Sequence, residues 1–331
     1  MATFPPPGRI MHSLIKMILS CFFMKEKRHF PQGKSPEMRC SMLQAVEKAY
    51  AKLNLSLDIT GTLPGGYHAL ESVMQSVSLA DTLTLCVIPG AGEIRVETDK
   101  GYLPRGEKNL AGKAARLYLE RTGIRDRDVS VSIEKRIPVG AGLGGGSSDA
   151  AAVLRGLNAL LGAPLTWEEL EELGARVGSD VPFCVRGGTV LARGRGEKME
   201  PLPPLADCGI LLCKPGFSVS TAELFALSDS RPVLGHPDTL GLVAALEAGS
   251  LSGVAHRLYN VFEEVTQRGR DEIETIRGLL YDAGAISASM SGTGPTVFGI
   301  FPEEEAAKGA EKLLRSRYRD CFACRPQPRI G

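Results

Sequence analysis

Residues 138–149 read P-V-G-A-G-L-G-G-G-S-S-D, and this run limits the fold more than any other part of the chain. Gly140, Gly142, Gly144, Gly145 and Gly146 place five glycines in seven positions. A residue without Cβ takes positive φ freely, and a series of them turns successive backbone N–H groups toward one point. Each glycine also costs about 0.5–1 kcal/mol of conformational entropy relative to Ala, so a plain turn has no use for five. Upstream, residues 129–137 alternate apolar and polar side chains as a strand does. Downstream, Ser147, Ser148 and Asp149 are good N-cap types, and A-A-A-V-L at 150–154 with Leu157, Leu160 and Leu161 predicts a helix. Strand, glycine loop and helix N-terminus in that order aim free amides and a positive dipole end at an anion, most simply a phosphate.

Two familiar glycine loops do not fit. Residues 140–145 match G-x-G-x-x-G, but a dinucleotide fold also needs a second strand after the helix and an acid about 20 residues on. Here the helix runs into G-A-P at 162–164, and T-W-E-E at 166–169 opens another helix with a capping-box pattern. A Walker A loop ends in Gly-Lys-Ser/Thr, and this loop holds no lysine.

The formal net charge of +1 gives no global field to draw nucleic acid or an anionic membrane. At 331 residues the chain is long enough for two domains with real cores. Eight cysteines are scattered without a disulfide framework, which predicts free thiols in a reducing, cytoplasmic setting. The lone C-x-x-C at 321–324 lacks a second ligand pair and is expected to be two packing cysteines. Residues 1–41 form a leader of different character that, with Met42, contains six of the nine methionines. Its apolar run at 17–24 is too short to span a bilayer, and no A-x-A-like site follows it. An organellar transit peptide is one reading; a non-native extension before a true start at Met42 is the preferred one. No site residue is expected in the leader.

Along the rest of the chain, Leu53, Leu55 and Leu57 alternate with Lys52, Asn54 and Ser56, the period of a half-buried strand. Lys52 and Asn54 therefore share a face, which would ordinarily be solvated. Further strands are expected around Ala80 and Asp81, and helices at 109–121 and 166–176, with Asn109 as an N-cap type. Asp180 stands in G-x-D-x-P, where a turn or helix cap is its simplest role. A hairpin at 187–197 precedes the Pro-rich linker 201–204 and a buried strand at 209–213. A helix starts near Ser220, and others cover 238–248, 254–265, 273–283 and 303–315. The S-G-T-G-P run at 291–295 reads as a turn between two strands. Together these elements predict an α+β architecture.

The pattern P-x-x-x-G-L-G-G-G-S-S at 138–148 resembles the phosphate loop of the GHMP kinases, small-molecule kinases for galactose, homoserine, mevalonate and phosphomevalonate. A-K-L-N-L at 51–55, Gly61, and G-Y-H-x-L-x-S at 66–72 resemble the branch that acts on 4-diphosphocytidyl-2-C-methyl-D-erythritol. The likeness runs over about residues 46–326, with four motifs in order. It implies an N-terminal domain (42–200) like domain 2 of ribosomal protein S5 and a ferredoxin-like C-terminal domain (201–331). It implies ATP held by Pro138, Val139, Gly140, Ala141, Gly142, Leu143, Gly144, Gly145, Gly146, Ser147 and Ser148. Mg²⁺ would bridge the phosphates, its protein ligand open between Ser147 and Ser148. Asp180 would be the base and Lys52 its partner beside the reacting hydroxyl. Asn54 and Thr221 would touch the substrate, Tyr67 and Phe225 would cover the two faces of cytosine, and His68 would bond its edge. The implied partner is a small molecule, not nucleic acid or membrane, and the implied state is a monomer or weak homodimer. The chemistry agrees, since a hydroxyl attacking phosphorus gains acidity and a carboxylate within reach can take its proton.

Overall fold

The computed structural model describes residues 42–230 and 235–331. The leader reading and the preferred start at Met42 concern residues that lie outside them. Two long strands organise the first half. β1 (Leu43–Leu63) and β2 (Tyr67–Pro89) pair antiparallel, with register shifts between Tyr50 and Lys52, Asn54 and Ser56, and Ile59 and Gly61. Shifts of this kind bend a strand and re-aim its side chains. Lys52 and Asn54 lie between the first two. β2 is continuous through Ala80 and Asp81, because both stay in the ladder opposite Tyr50 and Ala49.

β3 (Ile94–Thr98), α1 (Leu110–Thr122), β4 (Arg127–Glu134), α2 (Gly145–Leu160), α3 (Trp167–Val177), α4 (Val181–Arg186), β5 (Thr189–Gly194) and β6 (Lys198–Pro201) follow. The sheet order is β3-β4-β2-β1, and β5, which carries β6, pairs with the other end of β2. The four helices cover the sheet over a core that includes Leu83, Leu85, Val131, Ile133, Leu154 and Leu157. Ala150, Ala151 and Ala152 are fully buried, so α2 presents a small face and sits close to the sheet.

The second half contains β7 (Gly209–Lys214), α5 (Thr221–Ser230), α6 (Thr239–Glu247), α7 (Leu251–Ala255), β8 (Tyr259–Asn260), α8 (Val261–Val265), α9 (Arg270–Asp282), β9 (Ser287–Met290), β10 (Val297–Phe301), α10 (Glu304–Leu314) and β11 (Asp320–Cys324). Its sheet runs β11-β7-β10-β9 with antiparallel pairings, the ferredoxin-like β-α-β-β-α-β arrangement.

The two halves interlock. β8 pairs parallel with β1, adding a strand from the second half to the first sheet. The chain end returns across β2: the Gln327 amide donates to Ser76 O at 2.8 Å, and the Ile330 amide to Arg186 O at 2.7 Å. One core cluster joins Leu53, Leu55, Val73 and Leu143 to Ile210, Leu212, Phe298 and Ile300.

The single helix expected at 254–265 is divided by β8. Asn260 is extended (φ −141°, ψ 112°), and its side chain accepts from the Phe262 amide at 3.0 Å, so it ends one element and caps the next. β11, not anticipated from the sequence, carries the C-x-x-C. Cys321 and Cys324 are buried in packing positions, and among the described residues no His, Cys, Asp and Glu group could hold a metal. No described helix is long and apolar enough to cross a membrane.

Leu53 is fully buried in the shared cluster. Leu53→Ala is expected to lower unfolding free energy by about 2–5 kcal/mol, read from urea unfolding.

Candidate functional site

The shifted segment of β1 brings Lys52 to the glycine loop. The Lys52 amide donates to Leu143 O at 3.0 Å, and its side chain is 6% exposed. The Nζ donates to Asn54 Oδ1 at 2.7 Å and lies 3.7 Å from Asp180 Oδ2. Asn54 Nδ2 donates to Ser72 Oγ at 2.7 Å, and Ser72 Oγ donates to Ser56 O at 2.6 Å. This chain fixes the Asn54 amide with its oxygen toward the ammonium. Asp180 occupies the N-cap position of α4 but makes no side-chain capping bond, and its side chain is 42% exposed. The carboxylate is therefore left for the cleft rather than spent on the turn.

In the loop, Gly142 and Gly144 have φ of 74° and 69°. A Cβ on Gly142 would lie 2.1 Å from Ser291 O, and one on Gly144 would lie 2.9 Å from Lys52 Cγ. Both positions need glycine for space as well as conformation. α2 is capped by Gly144, so Ser147 and Ser148 fall inside its first turn and Asp149 just past it, instead of at the cap. Ser148 Oγ donates to Tyr50 O at 2.6 Å and is buried; Ser147 faces the cleft without a side-chain partner.

The turn after β9 meets the loop from the other half. Ser291 Oγ donates to Gly142 O at 3.1 Å and accepts from the Asn54 amide at 3.4 Å. Asn260 Nδ2 reaches both Met290 O and Gly292 O at 2.7 Å, holding that turn in shape. Sequence reasoning passed over Asn260 because an asparagine between apolar residues carries no motif; its capping chemistry was the available signal.

Beneath the loop, Lys135 Nζ pairs with Asp149 Oδ2 at 2.6 Å and with Asp81. Asp81 Oδ1 also accepts from the Arg136 and Ile137 amides, the latter at 2.8 Å. This buried cluster joins β2, the exit of β4 and the N-terminal part of α2. Burial would lower Lys135, but the two carboxylates outweigh it and hold it raised. Burial pushes the Asp149 carboxyl up to about 7; the Lys135 charge opposes this and the Asp81 charge adds to it.

At the far end of the cleft, His68 stacks on Phe225 with ring centroids 4.7 Å apart, and Phe225 meets Phe262 edge-on at 5.0 Å. His68 Nε2 lies 2.7 Å from Asp229 Oδ1. Tyr67 is half exposed, with the Arg195 guanidinium 3.9 Å from its ring centroid. Thr221 Oγ1 and Thr293 Oγ1 are 2.9 Å apart. All these groups line one cleft of about 910 Å³, together with Lys52, Asn54, Asp180 and the glycine loop. The residues singled out in the sequence thus converge, although Phe225 has His68 against its ring rather than an open slot facing Tyr67. Arg195 and Asp229 had no sequence signal. Asn109 borders the cleft, and its side chain caps α1 through the Ala111 amide.

Comparison with known proteins matches residues 109–188 to the N-terminal domain of GHMP kinases and 242–320 to their C-terminal domain. The 4-diphosphocytidyl-2-C-methyl-D-erythritol kinase of Syntrophomonas wolfei is 44% identical over 83% of this chain and 95% of its own length. That of Clostridium tetani is 40% identical over 83% and 97%. A crystal structure of 4-(cytidine 5'-diphospho)-2C-methyl-D-erythritol kinase superposes with a TM-score of 0.72 at 34% identity, covering 87% of this chain and all of that one. Homoserine kinase from Cytophaga hutchinsonii, 21% identical with a TM-score of 0.67 over 91% and 98%, shares the fold.

A carboxyl whose folded pKa stands above its unfolded value of 3.8 binds its proton more tightly in the native state. Its contribution to stability is complete below about pH 4 and is lost as pH rises through about 7. Asp149→Asn, which keeps an acceptor for Lys135, is expected to flatten the thermal stability profile across that window, measured as Tm against pH.

Proposed function

This chain belongs to the GHMP kinases, in the 4-diphosphocytidyl-2-C-methyl-D-erythritol kinase branch, and on that premise we propose the site chemistry that follows. The reaction moves the γ-phosphoryl group of ATP to the 2-hydroxyl of 4-diphosphocytidyl-2-C-methyl-D-erythritol, a step of the non-mevalonate route to isoprenoid precursors. The observation that carries this reading is the 3.7 Å approach of Lys52 and Asp180 in the same cleft as the glycine loop.

The glycine loop and the N-terminus of α2 receive the ATP phosphates, where free amides and the dipole favour negative charge. Asp180 takes the proton of the attacking hydroxyl. Lys52, buried and held by Asn54, sets its ammonium beside that carboxylate and faces the charge that grows on the transferred group. Near the glycine loop the cleft lining includes the Ser147 hydroxyl and the Asp149 and Asp180 carboxylates, oxygen donors that suit Mg²⁺, and an ion bound to phosphates needs few protein ligands. Ser147 is the better candidate of the two serines, because it lines the cleft whereas Ser148 is buried and does not. When bound, Mg²⁺ neutralises phosphate charge. Tyr67, His68 and Phe225 form the cytosine end, and Asn54 and Thr221 contact the remainder of the substrate. We assign 42–200 to the nucleotide-binding domain and 201–331 to the C-terminal domain. The protein is expected to act on its small-molecule substrates in the cytoplasm as a monomer or weak homodimer; Cys184, Cys208, Cys213, Cys321 and Cys324, free and buried, support a reducing setting.

The aromatic end separates this branch from other GHMP kinases. In a substrate panel with protein begun at Met42, the cytidyl compound should be phosphorylated in preference to mevalonate and homoserine; the reverse order overturns the assignment. Asp180→Asn is expected to lower kcat by at least about 10²-fold with intact folding, and near-normal turnover would reject the base role.

A further inference from the structure

A second cavity of about 1000 Å³ lies on the other side of the segment that leads into the glycine loop. Lys135, Ile137, Pro138 and Val139 line both cavities, so one stretch of chain is a wall common to the two. The new cavity is strongly basic. Lys48 on β1, Arg136 after β4, Arg319 before β11 and Arg325 after it converge there, and among the described residues none of the four pairs with a carboxylate. Lys48 reaches only a hydroxyl, Thr82 Oγ1, at 2.8 Å. The cavity has two acids against these cations: Glu311 is engaged by Arg315 at 2.9 Å, and Asp320 is paired with no cation among the described residues, since Lys214 opposite it donates to Pro215 O and Phe217 O.

Cations on a convex surface are dispersed and screened by water. Lys48, Arg136, Arg319 and Arg325 are exposed, so water moderates their repulsion, but four unpaired cations from separate elements around one concavity still make a positive potential that an anion between them lowers. Guanidinium groups offer planar forks suited to phosphate oxygens. The geometry points to a second anion site, distinct from the glycine loop, that takes a small molecule carrying at least two phosphoryl groups. Because its wall continues into the glycine loop, occupancy there bears on the segment that shapes the ATP site from behind.

The test is calorimetric titration of the full chain with inorganic diphosphate, the catalytic cleft first filled with one molar equivalent each of a non-hydrolysable ATP analogue and CDP, which leaves no excess to occupy a second site. The wild type should bind one further equivalent of diphosphate. Arg319→Ala with Arg325→Ala should weaken that binding at least about tenfold, while turnover without added diphosphate is unchanged. Arg176→Ala with Arg268→Ala removes two arginines that line neither cavity and should leave binding intact. Absence of a further equivalent, retention of it in the Arg319/Arg325 variant, or equal loss in the Arg176/Arg268 variant would each overturn the site.

Discussion

Everything in the cleft depends on how closely two backbones approach. The Gly142 carbonyl accepts a hydrogen bond from Ser291, and the Ser291 carbonyl occupies the space that a side chain at 142 would need. One of these turns belongs to the first half of the chain and the other to the second. Their contact closes the cleft on one side and sets the distance between the loop and β1. Asn260 makes the contact rigid, because its amide holds the turn by two carbonyls while its oxygen caps α8. Gly142 and Gly144 thus act through the absence of a side chain as well as through positive φ, and Gly140 through positive φ, whereas Gly145 and Gly146 already belong to α2.

Burial of Lys52 follows from the same approach. A lysine at 6% exposure is unfavourable unless its ammonium is bonded and paired. Asn54 gives a fixed acceptor, Asp180 an opposite charge, and the glycine loop excludes water over the stem. Asp180 remains half open to the cleft, so the pair is neither a sealed structural bridge nor a solvated surface one. That asymmetry gives a carboxylate access to substrate while its partner stays in place.

Much of this was legible in the sequence because the relevant signals are local. Glycines between an alternating run and an apolar helix determine their own surroundings, and β1 declared itself through Leu53, Leu55 and Leu57. The cap of α2 was misjudged for a physical reason: Gly144 already has positive φ and takes the cap position, which moves the serines into the helix. The break at Asn260 was hidden because residues 254–265 are apolar enough for one helix, and only the pairing of β8 with β1 makes the interruption favourable. Arg195, Asp229 and the Lys135–Asp81–Asp149 cluster could not be read from spacing, since their partners are distant in sequence and meet only through tertiary packing.

The aromatic end shows how a protein can hold a slot closed without misfolding. With His68 stacked on Phe225 and tied to Asp229, the Phe225 face is covered and the imidazole nitrogen is occupied. An aromatic pair of this kind contributes about 0.5–1.5 kcal/mol beyond burial. A base stacked in its place gains about 1–3 kcal/mol. The exchange therefore runs in favour of the base, but by a small margin, and a ring that could stack yet not hydrogen-bond would leave the largely buried His68 without a partner, while water serves the exposed Asp229. On the proposed assignment, discrimination between pyrimidine edges would fall to the polar pair, whereas the rings supply attraction that any flat group shares.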